Sequence, residues 1–143
     1  MGRQRSFTEA ERSAWRNSLL TNRRVTNRLD ADLGSECEMT LAEYEVLGHL
    51  ADAPDQRLRM NELAELSRLS PSGLTRRFDA LVRRGWATRE RCDDDRRGVV
   101  GSRTSSGKVQ VEAARPFHDR GAKSYFFDLL EPDDVDLLSE MMV

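Results

Sequence analysis

The feature that most constrains the fold is the segment 70–85, SPSGLTRRFDALVRRG, which predicts one short helix with its own start and stop signals. Ser70 is a favoured N-cap, because its hydroxyl can accept a hydrogen bond from a free backbone N–H of the first turn. Pro71 suits the first helical position, where its missing N–H costs nothing. Gly85 can adopt the left-handed conformation that ends a helix. The segment therefore predicts one helix and the positions of both of its ends.

This helix has two unlike faces. Its apolar residues recur at i, i+4, i+7 and i+8 and so share one side, namely Leu74, Phe78, Leu81 and Val82. The polar residues lie on the opposite side or on its flanks, and the candidates for contact with DNA are Ser70, Ser72, Thr75, Arg76, Arg77 and Arg83. Arginine can donate two hydrogen bonds to guanine in a major groove, and hydroxyls can reach bases or phosphates. An ordinary surface helix with a solvated charged face would show the same pattern.

The neighbouring segments favour the DNA interpretation. Residues 60–66, MNELAEL, predict a short helix with Leu63, Ala64 and Leu66 facing inward, and residues 67–69 predict a three-residue turn. A helix, a tight turn and a Ser-capped helix make a helix-turn-helix.

A β-hairpin is predicted next, with strands at 86–91 (WATRER) and 99–103 (VVGSR), and we call this hairpin the wing. The arginines on or beside the wing are Arg89, Arg91, Arg96 and Arg97. An arginine at a hairpin tip fits a narrow minor groove, where negative potential is concentrated. The carboxylate of Asp95 could fix the direction of Arg97. A plain polar turn is the alternative for this stretch.

Residues 58–99, LRMNELAELSRLSPSGLTRRFDALVRRGWATRERCDDDRRGV, resemble the winged-helix core of the MarR family (multiple antibiotic resistance regulators). The preceding LAEYEVLGHL and the following T-x-x-G-K are similar to that family too, and the most specific element is the wing signature at 95–97. The resemblance implies a mainly α fold with a small β-wing, in which a winged helix-turn-helix head is flanked by long dimerisation helices. It also implies that Arg97 enters the minor groove and that Asp95 holds it.

The chain departs from the family pattern at the second wing strand. Arg103 stands before Thr104 where the family usually has leucine, and Gly101 and Ser102 precede it. Because glycine and serine weaken a strand, we expect poorer packing here, or a phosphate contact from Arg103.

Capping boxes open two helices before the head, at Thr8–Glu11 and at Thr40–Glu43. We expect a single domain over residues 1–143, with dimerisation helices at 8–34 and 104–143 and the winged helix-turn-helix DNA-binding region at 40–103. Pro116 should bend a helix that runs from Thr104 to about Leu130. A monomer whose long helices pack on their own core is the alternative.

Charge distribution supports a nucleic-acid partner although the formal net charge is −2. Residues 57–97 hold eleven arginines and seven acidic residues, whereas residues 1–56 and 104–143 are each net acidic. A basic middle between acidic flanks suits a protein that meets phosphate on one face. The chain shows neither a membrane-length apolar run nor a signal-peptide core, and its two cysteines fit a reducing cytoplasm, so we expect a cytoplasmic protein.

The sequence signal for small-molecule binding is the least specific one in the chain. Aromatic residues that could line a pocket for a small aromatic or phenolic effector are Trp15, Tyr44, His49, Phe117 and His118. Core packing would explain these residues equally well. A thiol switch at Cys37 has no neighbouring basic residue to support it, and the spacing of Cys37, His49 and His118 provides no metal-ligand pairs.

The sequence therefore predicts a homodimeric, sequence-specific regulator of transcription, a repressor that a small-molecule effector releases from a near-palindromic DNA duplex. No cofactor, metal or membrane partner is expected, and the chain lacks the paired acid and base or activated nucleophile of an enzyme. A winged-helix module that binds proteins is the alternative, and the salt dependence of DNA binding would separate the two.

Overall fold

The computed structural model describes residues 6–92 and 98–142, and within them the chain is mainly α-helical with one small antiparallel sheet. The helices are α1 (Glu9–Cys37), α2 (Leu41–Asp52), α3 (Met60–Leu66), α4 (Pro71–Arg83), α5 (Ser105–Tyr125) and α6 (Pro132–Met141). The strands are β1 (Arg57–Arg59), β2 (Ala87–Arg91) and β3 (Val99–Arg103). Short 3-10 turns lie at Pro54–Gln56 and Phe127–Leu129.

The helices begin where the capping residues predict. The Thr8 hydroxyl accepts a hydrogen bond from the backbone N–H of Glu11 at 3.1 Å, and the Glu11 carboxylate accepts one from the N–H of Thr8 at 2.7 Å. Thr40 and Glu43 make the same reciprocal pair at the start of α2. Each box satisfies two backbone donors that the first helical turn leaves free.

Two predicted helix ends are wrong. Helix α1 continues through Gly34 to Cys37, because the buried Leu33 holds this turn in the core while Gly34 lies on the exposed side. Tertiary packing thus overrides the weak helix propensity of glycine and serine. Helix α5 ends at Tyr125 rather than near Leu130, and it continues on both sides of Pro116.

The core lies where α2, α3 and α4 meet the sheet, the C-terminal half of α1 and the N-terminal half of α5. Its fully buried side chains include Leu33, Leu47, Leu63, Leu74, Phe78 and Leu81. Two residues predicted to face inward do not, since Leu66 is 52% and Val82 is 39% exposed. The buried positions here are Leu63 and Ala64 of α3 and Ser67 directly after it, so Leu66 faces solvent.

Strand β3 lies in the centre of the sheet, between β1 and β2, and is antiparallel to both. Strand β1 was not predicted. Gly101 is paired with Leu58 on one side and Arg89 on the other. A Cβ atom at Gly101 would lie 2.6 Å from a ring carbon of Phe78, so only glycine lets this aromatic ring pack against the sheet. The expectation of a poorly packed strand is therefore wrong at this residue.

No helix among the residues that the structure describes combines the length and the apolar character needed to cross a membrane.

Candidate nucleic-acid interface

The helix-turn-helix is closed by a backbone turn at Arg68. This residue adopts the left-handed conformation, with a φ of 53°. The N–H of Arg68 donates to the carbonyl of Glu65, and the N–H of Leu69 donates to the carbonyl of Ala64, both at 3.0 Å. These bonds end α3, and Ser70 then starts α4 by accepting a hydrogen bond from the N–H of Gly73 at 3.1 Å.

The C-terminal end of α4 is closed by a backbone turn like the one that ends α3. Gly85 has a φ of 73°, and the N–H of Trp86 donates to the carbonyl of Leu81 at 2.9 Å. This Schellman motif satisfies the last carbonyls of the helix and directs the chain into β2. The hydroxyl of Thr104 donates to the carbonyl of Gly85 at 2.7 Å, so the start of α5 is attached directly to the end of α4.

The polar face of α4 is open to solvent. Its exposed residues are Ser70, Ser72, Thr75, Arg76 and Arg83, and Arg77 is half-buried. The Thr75 hydroxyl donates to the carbonyl of Pro71, and the hydroxyl oxygens of Ser70 and Ser72 lie 3.3 Å apart. Among the residues that the structure describes, no carboxylate pairs with Arg76, Arg77 or Arg83. Three guanidinium groups on one helix are thus available to an anionic partner.

Other arginines of the same region are already paired. Arg89 on β2 lies 2.6 Å from the Asp79 carboxylate on α4, and Arg57 on β1 lies 2.8 Å from Glu90 on β2. The first pair ties α4 to the wing, and the second spans the sheet. Sequence reasoning placed Arg89 among the arginines of the wing but missed both pairs, because their partners lie 10 and 33 residues apart in sequence.

A third pair joins the end of α4 to the start of α2. Glu43 is buried, and its carboxylate accepts a hydrogen bond from the N–H of Thr40 at 3.0 Å and lies 3.5 Å from the Arg84 guanidinium. The same guanidinium stacks over the Trp86 ring, 4.4 Å from its centroid. One carboxylate therefore caps α2 and restrains the end of α4.

Arg103 has a structural partner rather than an open position. Its guanidinium donates to the side-chain carbonyl of Gln56 at 3.1 Å. This contact joins β3 to the turn before β1 and accounts for an arginine in the strand.

The tip of the wing, with Asp95, Arg96 and Arg97, lies outside the described residues. The structure describes the base of the wing, where the N–H of Cys92 donates to the carbonyl of Gly98 at 2.8 Å.

Three of the five residues predicted to line an effector pocket lie together beside the helix-turn-helix. Tyr44 and His49 line an open cavity of about 400 Å³, with Leu66 and Arg115 on other walls. The His118 ring stacks on Tyr44 with its centroid at 4.6 Å. Burial, and to a lesser degree the negative charge of Asp119, raises the pKa of Tyr44 above its ordinary value.

The remaining candidates lie elsewhere. Phe117 packs against the core, and Trp15 is 58% exposed on the N-terminal half of α1. Burial and the neighbouring Glu36 raise the pKa of the Cys37 thiol, which opposes a reactive thiolate. Within residues 6–92 and 98–142, no group of three or more His, Cys, Asp or Glu side chains is arranged to hold a metal ion.

A helix-turn-helix whose small sheet has one strand before it and an antiparallel pair of strands after it defines a winged helix-turn-helix protein. Comparison with known proteins agrees with this class. The model of the MarR family matches residues 38–98. The HTH-type transcriptional repressor YetL of Bacillus subtilis (strain 168) is 33% identical over 76 residues, which is 53% of this chain and 46% of YetL.

Two solved structures match nearly the whole chain. AbsC, a MarR family transcriptional regulator from Streptomyces coelicolor, is 32% identical with a TM-score of 0.84, over 97% of this chain and 93% of its own. Sco3205, a MarR family transcriptional regulator from the same organism solved in complex with DNA, is 31% identical with a TM-score of 0.86, over 96% and 87% of the two chains. The chain belongs to the MarR family of transcriptional regulators.

Proposed function

We propose that this protein is a homodimeric repressor that binds a specific, near-palindromic DNA duplex through α4 and the wing. The observation that carries the proposal is that some arginines around α4 are paired with carboxylates and others are not. Arg57, Arg84 and Arg89 have carboxylate partners, whereas the described residues offer none to Arg76 and Arg83. A guanidinium without a partner keeps its full capacity to pair with phosphate or with a base edge.

We assign roles along α4 from the direction of each side chain. Arg76 stands on the side opposite the buried stripe and reads a base, with Ser72 beside it. Arg77 and Arg83 lie further round or further along the helix and contact phosphates, as do the hydroxyls of Ser70 and Thr75. In the wing, Arg97 enters the minor groove, Asp95 orients it and Arg96 adds a phosphate contact.

Exposed apolar residues on the terminal segments support the homodimer. The large ones that remain exposed there are Phe7, Trp15, Leu19, Leu20, Val109, Phe127, Leu129, Leu137, Met141 and Met142. Apolar side chains that are concentrated on one part of a chain mark an interaction surface. A two-fold dimer built on this surface would present two copies of α4, so half-site centres about 10 base pairs apart are expected.

We propose that the cavity between α2, α5 and the turn at Arg68 binds the releasing effector, a small aromatic or phenolic molecule. Tyr44 and His49 line it, and His118 stacks on Tyr44. Of the other two candidates, Phe117 would act from behind the cavity and Trp15 from the dimer surface. A molecule bound here would touch both the helix-turn-helix and α5, so it could change how α4 is held relative to the dimer.

The test is selection of bound fragments from random duplex DNA, followed by fluorescence anisotropy of the selected site at several salt concentrations. Affinity should fall steeply with salt through counterion release. Arg76→Ala should relax the preference at one position in each half-site by about 1–3 kcal/mol. Arg57→Ala, which removes an arginine already paired with Glu90, is the matched control and should leave the preference unchanged.

Spacer variants test the dimer on the same DNA. An insertion of about five base pairs between the half-sites turns one of them to the opposite face of the duplex, and affinity should fall to the non-specific level. Failure to select any sequence, together with weak salt dependence, would instead favour a protein-binding module.

A further inference from the structure

An acidic residue lies in the middle of the polar face of α4. Asp79 comes seven residues after Ser72, so at about 100° per residue the two are only about 20° apart around the helix axis. The Asp79 side chain is 44% exposed. A carboxylate on a surface that meets DNA opposes binding, because it repels the phosphates. The position of Asp79 is therefore unfavourable for a DNA-binding helix unless its charge is compensated.

Two arginines of α4 lie within reach of Asp79. Arg76 is three residues before it and Arg83 is four residues after it, and side chains with these spacings are neighbours on a helix surface. An acidic residue four positions before a basic one is the favoured order for an ion pair of this kind. The structure forms neither pair, and in the part of the chain that it describes Asp79 pairs with Arg89 of β2 instead. The carboxylate is thus bound by the wing rather than by its own helix.

Contacts beside the ion pair restrain Arg89. Its guanidinium lies 5.3 Å from the centroid of the Phe78 ring, and that ring is fully buried. Arg89 also stands on a strand that is hydrogen-bonded to β3. Arg76 and Arg83 are exposed, and either would have to order a long, solvated side chain to reach Asp79, which costs conformational entropy. The arginine of the wing is therefore the preferred partner of the carboxylate.

We propose that Arg89 is a positioning residue for DNA recognition, which binds the Asp79 carboxylate and so leaves Arg76 and Arg83 free for DNA. The proposal rests on the DNA-binding function proposed above. Without Arg89, the carboxylate pairs with the arginines of α4, and its charge is no longer compensated from the wing. Arg89 thus acts on base recognition through other side chains rather than by touching a base.

A carboxylate released from Arg89 has two effects of different size. An exposed ion pair within a helix is weak, so pairing with Asp79 reduces the availability of Arg76 only about twofold. A carboxylate without a cation next to phosphates costs more, because like charges are brought together where water is displaced. Repulsion should therefore dominate the loss of affinity, whereas the pairing with Arg76 should weaken the preference for one base.

A double-mutant cycle on the selected DNA duplex tests the proposal. Arg89→Ala should lower the affinity about tenfold or more and should weaken the preference at the base position that Arg76→Ala identifies. Asp79→Asn removes the negative charge, so this variant should bind at least as tightly as the wild-type protein. In the Asp79→Asn background, Arg89→Ala should cost only a small part of the tenfold loss, and the base preference should return. Fluorescence anisotropy with the duplex and its single-base variants measures both quantities.

The matched control is Arg57→Ala, which breaks the ion pair with Glu90 in the same sheet and should have the same effect with aspartate or asparagine at position 79. Circular dichroism of every variant checks that the helices remain folded. A loss of affinity in Asp79→Asn alone would overturn the proposal, because the ion pair would then serve to hold the wing against α4. Equal losses from Arg89→Ala in both backgrounds would overturn it too, since Arg89 would then contact DNA directly. A wild-type protein that selects no sequence would instead refute the DNA-binding function itself.

Discussion

The central region, residues 40–103, and the terminal helices differ in how far their apolar and charged side chains are covered by their own chain. In the central region, Phe78 and Leu47 are fully buried, and Arg89 is paired with a carboxylate of its own chain. On the terminal helices, Trp15 and Met141 remain exposed, and the arginines of α1 lack carboxylate partners among the described residues. The apolar core of the central region is therefore buried within one chain, whereas the terminal helices keep large apolar side chains exposed, which the proposed dimer would cover.

This difference has a thermodynamic consequence. Contacts within one chain stabilise the fold equally at every protein concentration, whereas contacts between chains stabilise it by mass action. The two regions should thus respond differently to substitution and to dilution.

The largest effect is expected from the core of the central region. Phe78→Ala removes a fully buried ring between α4 and the sheet, so the free energy of unfolding should fall by about 3–5 kcal/mol. Val82→Ala on the same helix, where the side chain is partly exposed, should cost much less. Urea denaturation measures both. Equal losses for the two variants would show that the central region lacks a tightly packed core.

A smaller loss of stability is expected when a Cβ atom is added where Gly101 contacts the Phe78 ring. Gly101→Ala places a Cβ atom 2.6 Å from the Phe78 ring, which should destabilise the protein by about 1–3 kcal/mol. Gly48→Ala is the control, because nothing lies within 4 Å of the added atom and alanine favours the helix. In a Phe78→Leu background the cost of Gly101→Ala should shrink. An unchanged cost in that background would place its cause elsewhere.

The dependence of stability on protein concentration distinguishes the two regions directly. For a homodimer, each tenfold rise in protein concentration should add about 1.4 kcal/mol to the apparent stability. A chain that ends at Leu130 lacks α6, so its stability should not depend on concentration while the central region stays folded. Thermal unfolding at two concentrations gives the comparison. A concentration-independent wild-type protein would contradict a dimer through the terminal helices.

The smallest effect concerns the contact between α1 and α5. The Tyr125 hydroxyl donates to the Asp32 carboxylate at 2.6 Å, and this hydrogen bond, with burial and the Asp32 charge, raises the pKa of Tyr125 above 10.0. A raised pKa in the folded state means that stability is present below the unfolded pKa and is lost as pH rises through the folded value.

Tyr125→Phe should therefore lose less stability than the wild-type protein as the pH rises through and above about 10. Thermal unfolding across this range measures the difference. The raised pKa of Tyr44 acts on both proteins and cancels in the comparison. Identical alkaline curves would mean that the hydrogen bond to Asp32 does not contribute in solution.

Local signals allowed much of the fold to be predicted from sequence. Thr8, Thr40, Ser70 and Gly85 mark helix ends correctly, because each completes its hydrogen bonds with residues only a few positions away. The polar face of α4 could be predicted for a similar reason, since helical periodicity alone places Arg76 opposite Phe78.

Features that depend on distant partners could not be predicted. Strand β1 is only three residues long and exists because β3, more than forty residues later, pairs with it. Helix α1 passes through Gly34 because of packing that the local sequence does not show. The free and paired arginines look alike in sequence, and the carboxylates that distinguish them, such as Asp79, are found only when the chain is folded.

Gly101 also bears on how the sheet finds its alignment during folding. A shift of β3 by one residue would bring Val100 or Ser102 opposite Phe78, and either side chain would occupy the space that the ring needs. The same shift would turn the core-facing side chains of β3 towards solvent. The missing side chain of Gly101 thus favours the observed register of β3 over registers shifted by one residue.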